Sequence, residues 1–304
     1  MAAWIPITLL AATAQTLRFM LQKHLKSTSL STTGATLARF LYSFPLVIAL
    51  ALAYGAVTGR GLPGPAGAAG AFLWPALLGA GAQIVGTLCV VALFSRRNFA
   101  VGTTFMKTEV ILSVPVGWLW LGDRVGPWAL LAILVGLWGV LLLSDAEVPA
   151  GKGAWRRLLS PATGLGLLSG LAFAVSAVGY RGATLALADG DALARALVTL
   201  AVVTTAQALA LTAWLAWRDR TQIGRVLAAW RVATPMGIAS LVGSACWFTA
   251  FALQQVAYVK ALGQVEVALS ALASVLVFRE TITRREGWGL VVLVISVVLL
   301  VLVA

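Results

Sequence analysis

The chain is poor in the residues that most enzymes use to do chemistry. Of its 304 residues one is histidine, two are cysteine and 11% are charged. The histidine, His24, falls in a polar stretch between apolar runs, which leaves none for a metal cluster or a buried triad. Cys89 and Cys246 both lie inside apolar runs and give no disulfide framework. Hydrolytic chemistry is poorly supplied, and neither a metal nor any other cofactor is expected.

What is abundant is hydrocarbon. Hydrophobic residues make up 61% of the chain and the mean hydropathy is +0.96, too apolar for polar surface to cover a soluble core. The composition predicts an all-α integral membrane protein. A net charge of +12 raises the question of nucleic acid, but the basic residues stand singly or in pairs between apolar runs, as in membrane loops, so no nucleic-acid partner is expected. The opening "WIPITLLAATA" has no basic residue before Arg18 and is expected to be a first transmembrane helix rather than a signal peptide.

At about 20 residues per span, the chain divides into ten transmembrane helices, near 4–22, 32–58, 71–94, 99–121, 127–144, 163–181, 191–217, 232–253, 256–278 and 287–303. The longest polar gap, "SDAEVPAGKGAWRRLLSP", lies at mid-chain. A shift of 157 residues superposes one block, from Ala82 to Asp123, on its counterpart from Ala239 to Glu280 without insertions, and shifts differing by a residue or so relate "LARFL" at Leu37 to "LARAL" at Leu193. "AQIVGTLCVVALF" from Ala82 falls on "ASLVGSACWFTAF" from Ala239, and the block continues to pair Glu109 with Glu266, Ser113 with Ser270 and Leu119 with Leu276. A matched Glu, Cys, Gly and Ser in one ungapped block marks a duplication, with repeats over 1–150 and 151–304. Five helices per repeat is an odd number, so the second copy enters the membrane from the opposite side. Two inverted five-helix repeats are the frame of many secondary transporters, with a site near the midplane and alternating access by exchange of the halves' conformations.

The intramembrane polar residues carry the functional expectation. Glu109 and Glu266 are each the eleventh residue of an expected span, where a charge costs on the order of 2.5–3.5 kcal/mol even on insertion scales. Ser113 and Gly117 follow Glu109 at helical spacing, and Gly263, Ser270 and Ser274 flank Glu266, so both carboxylates are expected to face protein or water. They are the candidates for proton coupling. Lys107 lies about 200° around the helix from Glu109, so its partner must come from elsewhere. It is either a counter-ion to Glu266 or a handle for a substrate carboxylate. Thr103 and Thr104 share its face, and Lys260 and Gln264 mark the corresponding face of the ninth helix. Lys260, one turn from the helix start, is expected to snorkel to the interface. Gln83, Gln264, Ser113, Ser270, Trp247 and Tyr258 complete the candidate substrate cavity. Ala82-x3-Gly86 and Ala239-x3-Gly243 are small-xxx-small pairs expected to pack and slide between helices. Arg39 and Arg195 read as interfacial anchors.

Arg39 and Arg195 near the start of the second helix of each repeat, and an acid after each fourth helix (Gly122-Asp123 and Arg279-Glu280), make the ten-helix chain resemble the drug/metabolite transporter superfamily, in particular its EamA-type members. The resemblance spans nearly the whole chain. It implies a bacterial-type inner-membrane secondary carrier, usually an exporter of amino acids, metabolites or drugs, with a central cavity lined by the third, fourth, eighth and ninth helices. Where many members carry proline fourteen residues before the acid, this chain has Glu109 and Glu266. A proton-coupled small-molecule exporter is the expected function, with protons, a small substrate and the bilayer as partners. An uncoupled facilitator, channel or scaffold would leave the mirrored glutamates without a role. An intramembrane lipid-acting enzyme would need nucleophiles and bases that the chain lacks.

Orientation gives a direct test. Loops after the odd-numbered helices carry Lys23, Lys26, Arg96, Arg97, Lys152, Arg156, Arg157, Arg218, Arg220, Arg225, Arg231, Arg279, Arg284 and Arg285, against Arg60, Arg124 and Arg181 on the other side. The positive-inside rule makes the first set cytoplasmic and both termini external, whereas the resemblance implies cytoplasmic termini. Following the charges, alkaline phosphatase fused after Ala304 should be active and a fluorescent protein fused there dark. A fluorescent, phosphatase-inactive fusion reverses the topology.

Overall fold

Where lipid replaces water, a backbone N–H or C=O has no partner outside its own chain, so an apolar run that crosses a membrane must coil on itself. The computed structural model describes residues 2–26, 30–93, 106–143, 161–269, 271 and 283–304. Among them eleven helices form: α1 (Trp4–Lys26), α2 (Thr32–Thr58), α3 (Ala69–Leu93), α4 (Glu109–Leu121), α5 (Pro127–Leu143), α6 (Pro161–Leu185), α7 (Ala192–Arg218), α8 (Thr221–Ala228), α9 (Trp230–Leu253), α10 (Val256–Gly263) and α11 (Arg284–Val303). Six of them, α2, α3, α6, α7, α9 and α11, are long and apolar enough to cross a membrane, and α4 and α5 are shorter apolar helices. The protein is a multi-pass, all-helical membrane protein. Threonines inside the helices return their hydroxyls to the preceding turn, as Thr8 does to the Trp4 carbonyl at 2.7 Å and Thr249 to Ala245 at 2.7 Å. No hydroxyl proton is left facing hydrocarbon at these positions.

The expected spans coincide with these helices to within a few residues, and two departures matter. The fourth span, expected to be continuous over 99–121, turns at Lys107 and Thr108 and starts its helix at Glu109, while 99–105 lie outside the described residues. The ninth, expected over 256–278, ends a helix at Gly263, turns at Gln264 and resumes over 265–269. The turn at Gln264 is 157 residues after Lys107, the same spacing that separates Glu109 from Glu266. In addition, the polar stretch after α7 folds as the short helix α8.

Two compact units make up the described chain: Met1–Ile84 with Val175–Gln255, and Val85–Ala174 with Val256–Ala304. Each draws on residues from both sides of the mid-chain gap, so compactness is organised across the sequence halves. In the first unit α1 packs on α9, α2 on α7 and α9, and α8 on α2. Arg181, expected as a loop charge, instead donates to the carbonyls of Phe251 at 2.6 Å and Gln254 at 2.9 Å, closing the C-terminus of α9. Asp191 caps α7 by accepting from the Ala194 N–H at 2.8 Å and also takes the Tyr54 hydroxyl at 2.7 Å. The Ala194 N–H first, and then the Tyr54 hydroxyl, hold its carboxyl below the usual carboxylate range. That increment of stability is present at neutral pH and is lost as pH falls through the carboxylate range.

In the second unit α11 packs on α5, and α10 packs on α4, α5 and α11. The α5–α11 crossing is backbone against backbone. A Cβ on Gly139 would sit 2.9 Å from the Leu293 nitrogen, and one on Gly289 would sit 2.9 Å from the Leu143 nitrogen and 3.0 Å from the Gly139 carbonyl. Gly86 is tight as well, since a Cβ there would lie 2.9 Å from the Phe173 ring. Gly243 is looser: its nearest neighbour would be the Ala14 Cβ at 3.4 Å, an ordinary contact. Gly139→Val or Gly289→Val should therefore lower thermal stability in detergent by about 1–3 kcal/mol, because backbone cannot yield as a side chain does. Gly243→Ala should melt with the native protein. Equal melting of all three variants would mean that α5 and α11 are not in contact.

Candidate functional site

The second unit holds the charged residues singled out above. Glu109 opens α4, and the face it shares with Val110, Ser113 and Gly117 is buried. Glu109 is 9% exposed and Glu266, in the segment that resumes after Gln264, is 7% exposed. Neither faces its fellow carboxylate for compensation. Lys107 Nζ lies 3.4 Å from Glu266 Oε1, and Lys260 Nζ lies 3.4 Å from Glu109 Oε2. The two pairs cross: each glutamate is matched by a lysine from the other broken span. Two positive and two negative charges thus cancel within one buried cluster.

Lys107 thus stands within ion-pair distance of Glu266, as expected of a counter-ion. The second pair corrects the expectation for Lys260, whose side chain is 13% exposed and held by a carboxylate rather than extended to an interface. The two lysines are not equivalent under the 157-residue shift, since Lys107 corresponds to Gln264 and Lys260 to Thr103. The mirrored feature is the position of each glutamate just past a helix break.

The breaks have their own packing. Gly170 of α6 admits the first turn, because a Cβ there would lie 2.8 Å from Thr108 Oγ1 and 3.1 Å from the Met106 carbonyl. At the second, Gln264 is 3% exposed and fills the space left by Gly136, where a Cβ would meet its Oε1 at 2.7 Å. Ser296 Oγ borders the same space and donates to the Ala132 carbonyl at 2.7 Å. Among the described residues the Gln264 Nε2 has no hydrogen-bond partner, a buried donor that a ligand oxygen or a water would satisfy. Ser113 donates to the Val110 carbonyl at 2.6 Å within its own helix, and Tyr258 is buried in α10. Ser270 and Glu280 lie outside the described residues, as do Thr103 and Thr104.

The other candidates belong to the first unit. Gln83 Oε1 accepts from Gln207 Nε2 at 2.9 Å and from the Tyr180 hydroxyl at 3.0 Å, and Tyr180 also reaches the Gly79 carbonyl at 3.0 Å. Gly79 makes this possible, since a Cβ on it would stand 2.8 Å from the Tyr180 ring. The ring stacks on Phe248 with centroids 4.3 Å apart. Trp247 donates to Gln15 Oε1 at 3.1 Å and stacks on Phe251 at 5.9 Å. Arg39, expected at the interface, is 5% exposed, donates through Nε to Ser240 Oγ at 3.2 Å and lies over the Phe40 ring. Of the small-residue pairs, Ala239 is buried and Ala82 half-buried.

Tyr180 and Gln207 were not among the sequence candidates. The signal for Gln207 was present, as an amide between Thr205 and Leu211 in an otherwise apolar run. Tyr180 gave none, because a tyrosine near a helix end also reads as an interfacial anchor. Among the described residues no group of three or more His, Cys, Asp or Glu could hold a metal ion.

With this geometry in place, the comparisons with known proteins can be interpreted. The model of the EamA-like transporter family matches residues 161–302. A solved structure titled "Crystal structure of protein" superposes with a TM-score of 0.73 over 99% of this chain and 97% of that one, at 15% identity, a likeness of fold. None of the curated proteins compared matches the chain. The family match covers a little under half of the chain and makes its second half similar to the EamA-like transporter family.

Proposed function

We propose that the protein is a proton-coupled secondary transporter of the bacterial inner membrane, built as ten helices in two inverted five-helix repeats and exporting small metabolites, amino acids or drugs by alternating access. The observation that carries this reading is the crossed pairing of Lys107 with Glu266 and Lys260 with Glu109 beside two helix breaks. A buried pair is poor value as a stability device, because desolvation offsets much of its Coulomb attraction. It is useful as a switch. A proton arriving at Glu266 would cancel the carboxylate charge and leave the Lys107 ammonium without its anion in a low-dielectric interior. The lysine must then find another acceptor, on substrate or on protein, and loss of the proton restores the original pair. The breaks let short helical segments adjust without unravelling a whole span.

The same logic applies to Glu109 and Lys260, so the cluster offers two neutral ways of being occupied. The polar residues that share its unit, Gln264, Ser113 and Tyr258, would then face substrate.

In proteoliposomes carrying a pH gradient, the native protein should concentrate its substrate against the substrate's own gradient. Glu→Gln keeps the side chain's shape and hydrogen bonding but cannot ionise. The double variant Glu109→Gln/Glu266→Gln should lose gradient-driven accumulation while retaining part of its exchange of labelled for unlabelled substrate. Pairing each change with its lysine, as Lys107→Gln/Glu266→Gln, avoids stranding a buried ammonium, which would cost about 3–5 kcal/mol. Undiminished pH-driven accumulation by the double glutamate variant would place the proton path elsewhere. Exchange without any accumulation in the native protein would favour an uncoupled facilitator.

A further inference from the structure

The connection between α7 and α9 does more than turn the chain. Asp219 ends α7, accepts from the Thr221 N–H at 3.2 Å and also takes the Thr221 hydroxyl. The corner leads directly into α8, which is eight residues long. At 1.5 Å per residue it covers roughly 12 Å, far short of the ~30 Å of hydrocarbon. Its buried residues are Gln222 and Val226. Gln222 Oε1 accepts from the Ser31 N–H at 2.8 Å, and the Tyr42 hydroxyl donates to the Val226 and Leu227 carbonyls, both at 3.2 Å. One face of α8 is therefore fastened to α2, and the other is open.

The open face and its surroundings have a distinctive chemistry. Arg218, Arg220, Arg225 and Arg231 are all exposed. Between them stand large exposed apolar groups: Leu227 at 56%, Trp217 at 75% and Trp230 at 56%. Asp219 is the one acid from Trp214 to Arg231, against four arginines, so the stretch carries a surplus of positive charge. Arg220 is tethered through Nε to the Ala216 carbonyl at 2.7 Å, and Arg231 lies 5.6 Å over the Trp230 ring, which holds both guanidinium groups near the helix ends. Arginine interleaved with exposed tryptophan and leucine, between two helices apolar enough to span a membrane, suits the headgroup layer and neither side of it.

We infer that α8 and the flanking arginines form a binding site for the phosphate headgroup of an anionic phospholipid, with Leu227, Trp217 and Trp230 seated among the upper acyl carbons. The charge surplus selects against zwitterionic lipid. The exposed indoles select against a wholly aqueous partner such as an acidic peptide. This site is independent of the transport reading and of the ion-pair cluster.

The test uses the full chain in nanodiscs containing equal parts of phosphatidylcholine and phosphatidylglycerol with matched acyl chains. Lipid retained after extraction is counted by native mass spectrometry. The native protein should retain phosphatidylglycerol preferentially. Each arginine removed should weaken that preference about fivefold, so Arg220→Gln/Arg225→Gln/Arg231→Gln should lose on the order of a hundredfold. The matching Arg→Lys triple variant should keep most of the preference. Inorganic phosphate added in excess should not displace the lipid, because it lacks the acyl chains that seat the apolar groups. Equal retention of the two lipids by the native protein overturns the inference and requires no variant to fold. So does a glutamine variant with native preference, or complete displacement by inorganic phosphate.

Discussion

A charge buried where water is absent must be neutralised by something within reach, and in this protein four such charges neutralise one another in two crossed pairs. Much of the second unit is arranged around that requirement. The spans that carry the glutamates are broken, so each carboxylate lies one or two residues past a turn in its helix. Gly170 lets α6 approach the first break closely, and Gly136 makes room for Gln264 at the second. Without those two glycines the turns would have to move outward, and the lysines with them.

The rest of the packing supplies rigidity around these discontinuities. Gly139 and Gly289 bring α5 and α11 into backbone contact, the arrangement membrane helices use where lipid removes the hydrophobic drive for association. In the first unit the polar content is hydrogen-bonded rather than ion-paired. Gln83, Tyr180 and Gln207 form a connected network, Arg39 reaches Ser240, and Trp247 reaches Gln15. The two units thus offer different chemistry: a neutralised charge cluster in one, and oriented amides, a phenol and stacked aromatics in the other.

Much of this was legible in the sequence because membrane helices obey few rules. Length and hydropathy located the six helices long and apolar enough to cross a membrane, and the 157-residue spacing located the two buried glutamates. Burial of Glu109, Ser113 and Gly117 on one face followed from helical spacing. The first break was not legible, since "FMKTEVIL" contains neither proline nor glycine and would continue a helix on propensity alone, whereas Gly263 beside the second turn was a helix-weakening signal. The partner of Lys260 was not legible either, because it depends on where a different span places Glu109. Periodicity along one helix says which way a residue points, not what it meets. α8 was missed because eight residues, four of them polar or glycine, read as loop. Arg39 was misjudged for a related reason: an arginine near a helix start has the same local signature whether it snorkels or is buried against Ser240.

The central claim is that a proton exchanges on these carboxylates and that a lysine changes partner when it does. Infrared difference spectroscopy of the reconstituted protein reads this directly, because a protonated carboxyl has its own C=O stretch. The account predicts a protonated-carboxyl band that appears on acidification, is reversed by substrate, and loses its components in turn in Glu109→Gln and Glu266→Gln. A pH titration in which no carboxyl band depends on either residue would show that the crossed pairs stay closed and that the cluster is structural.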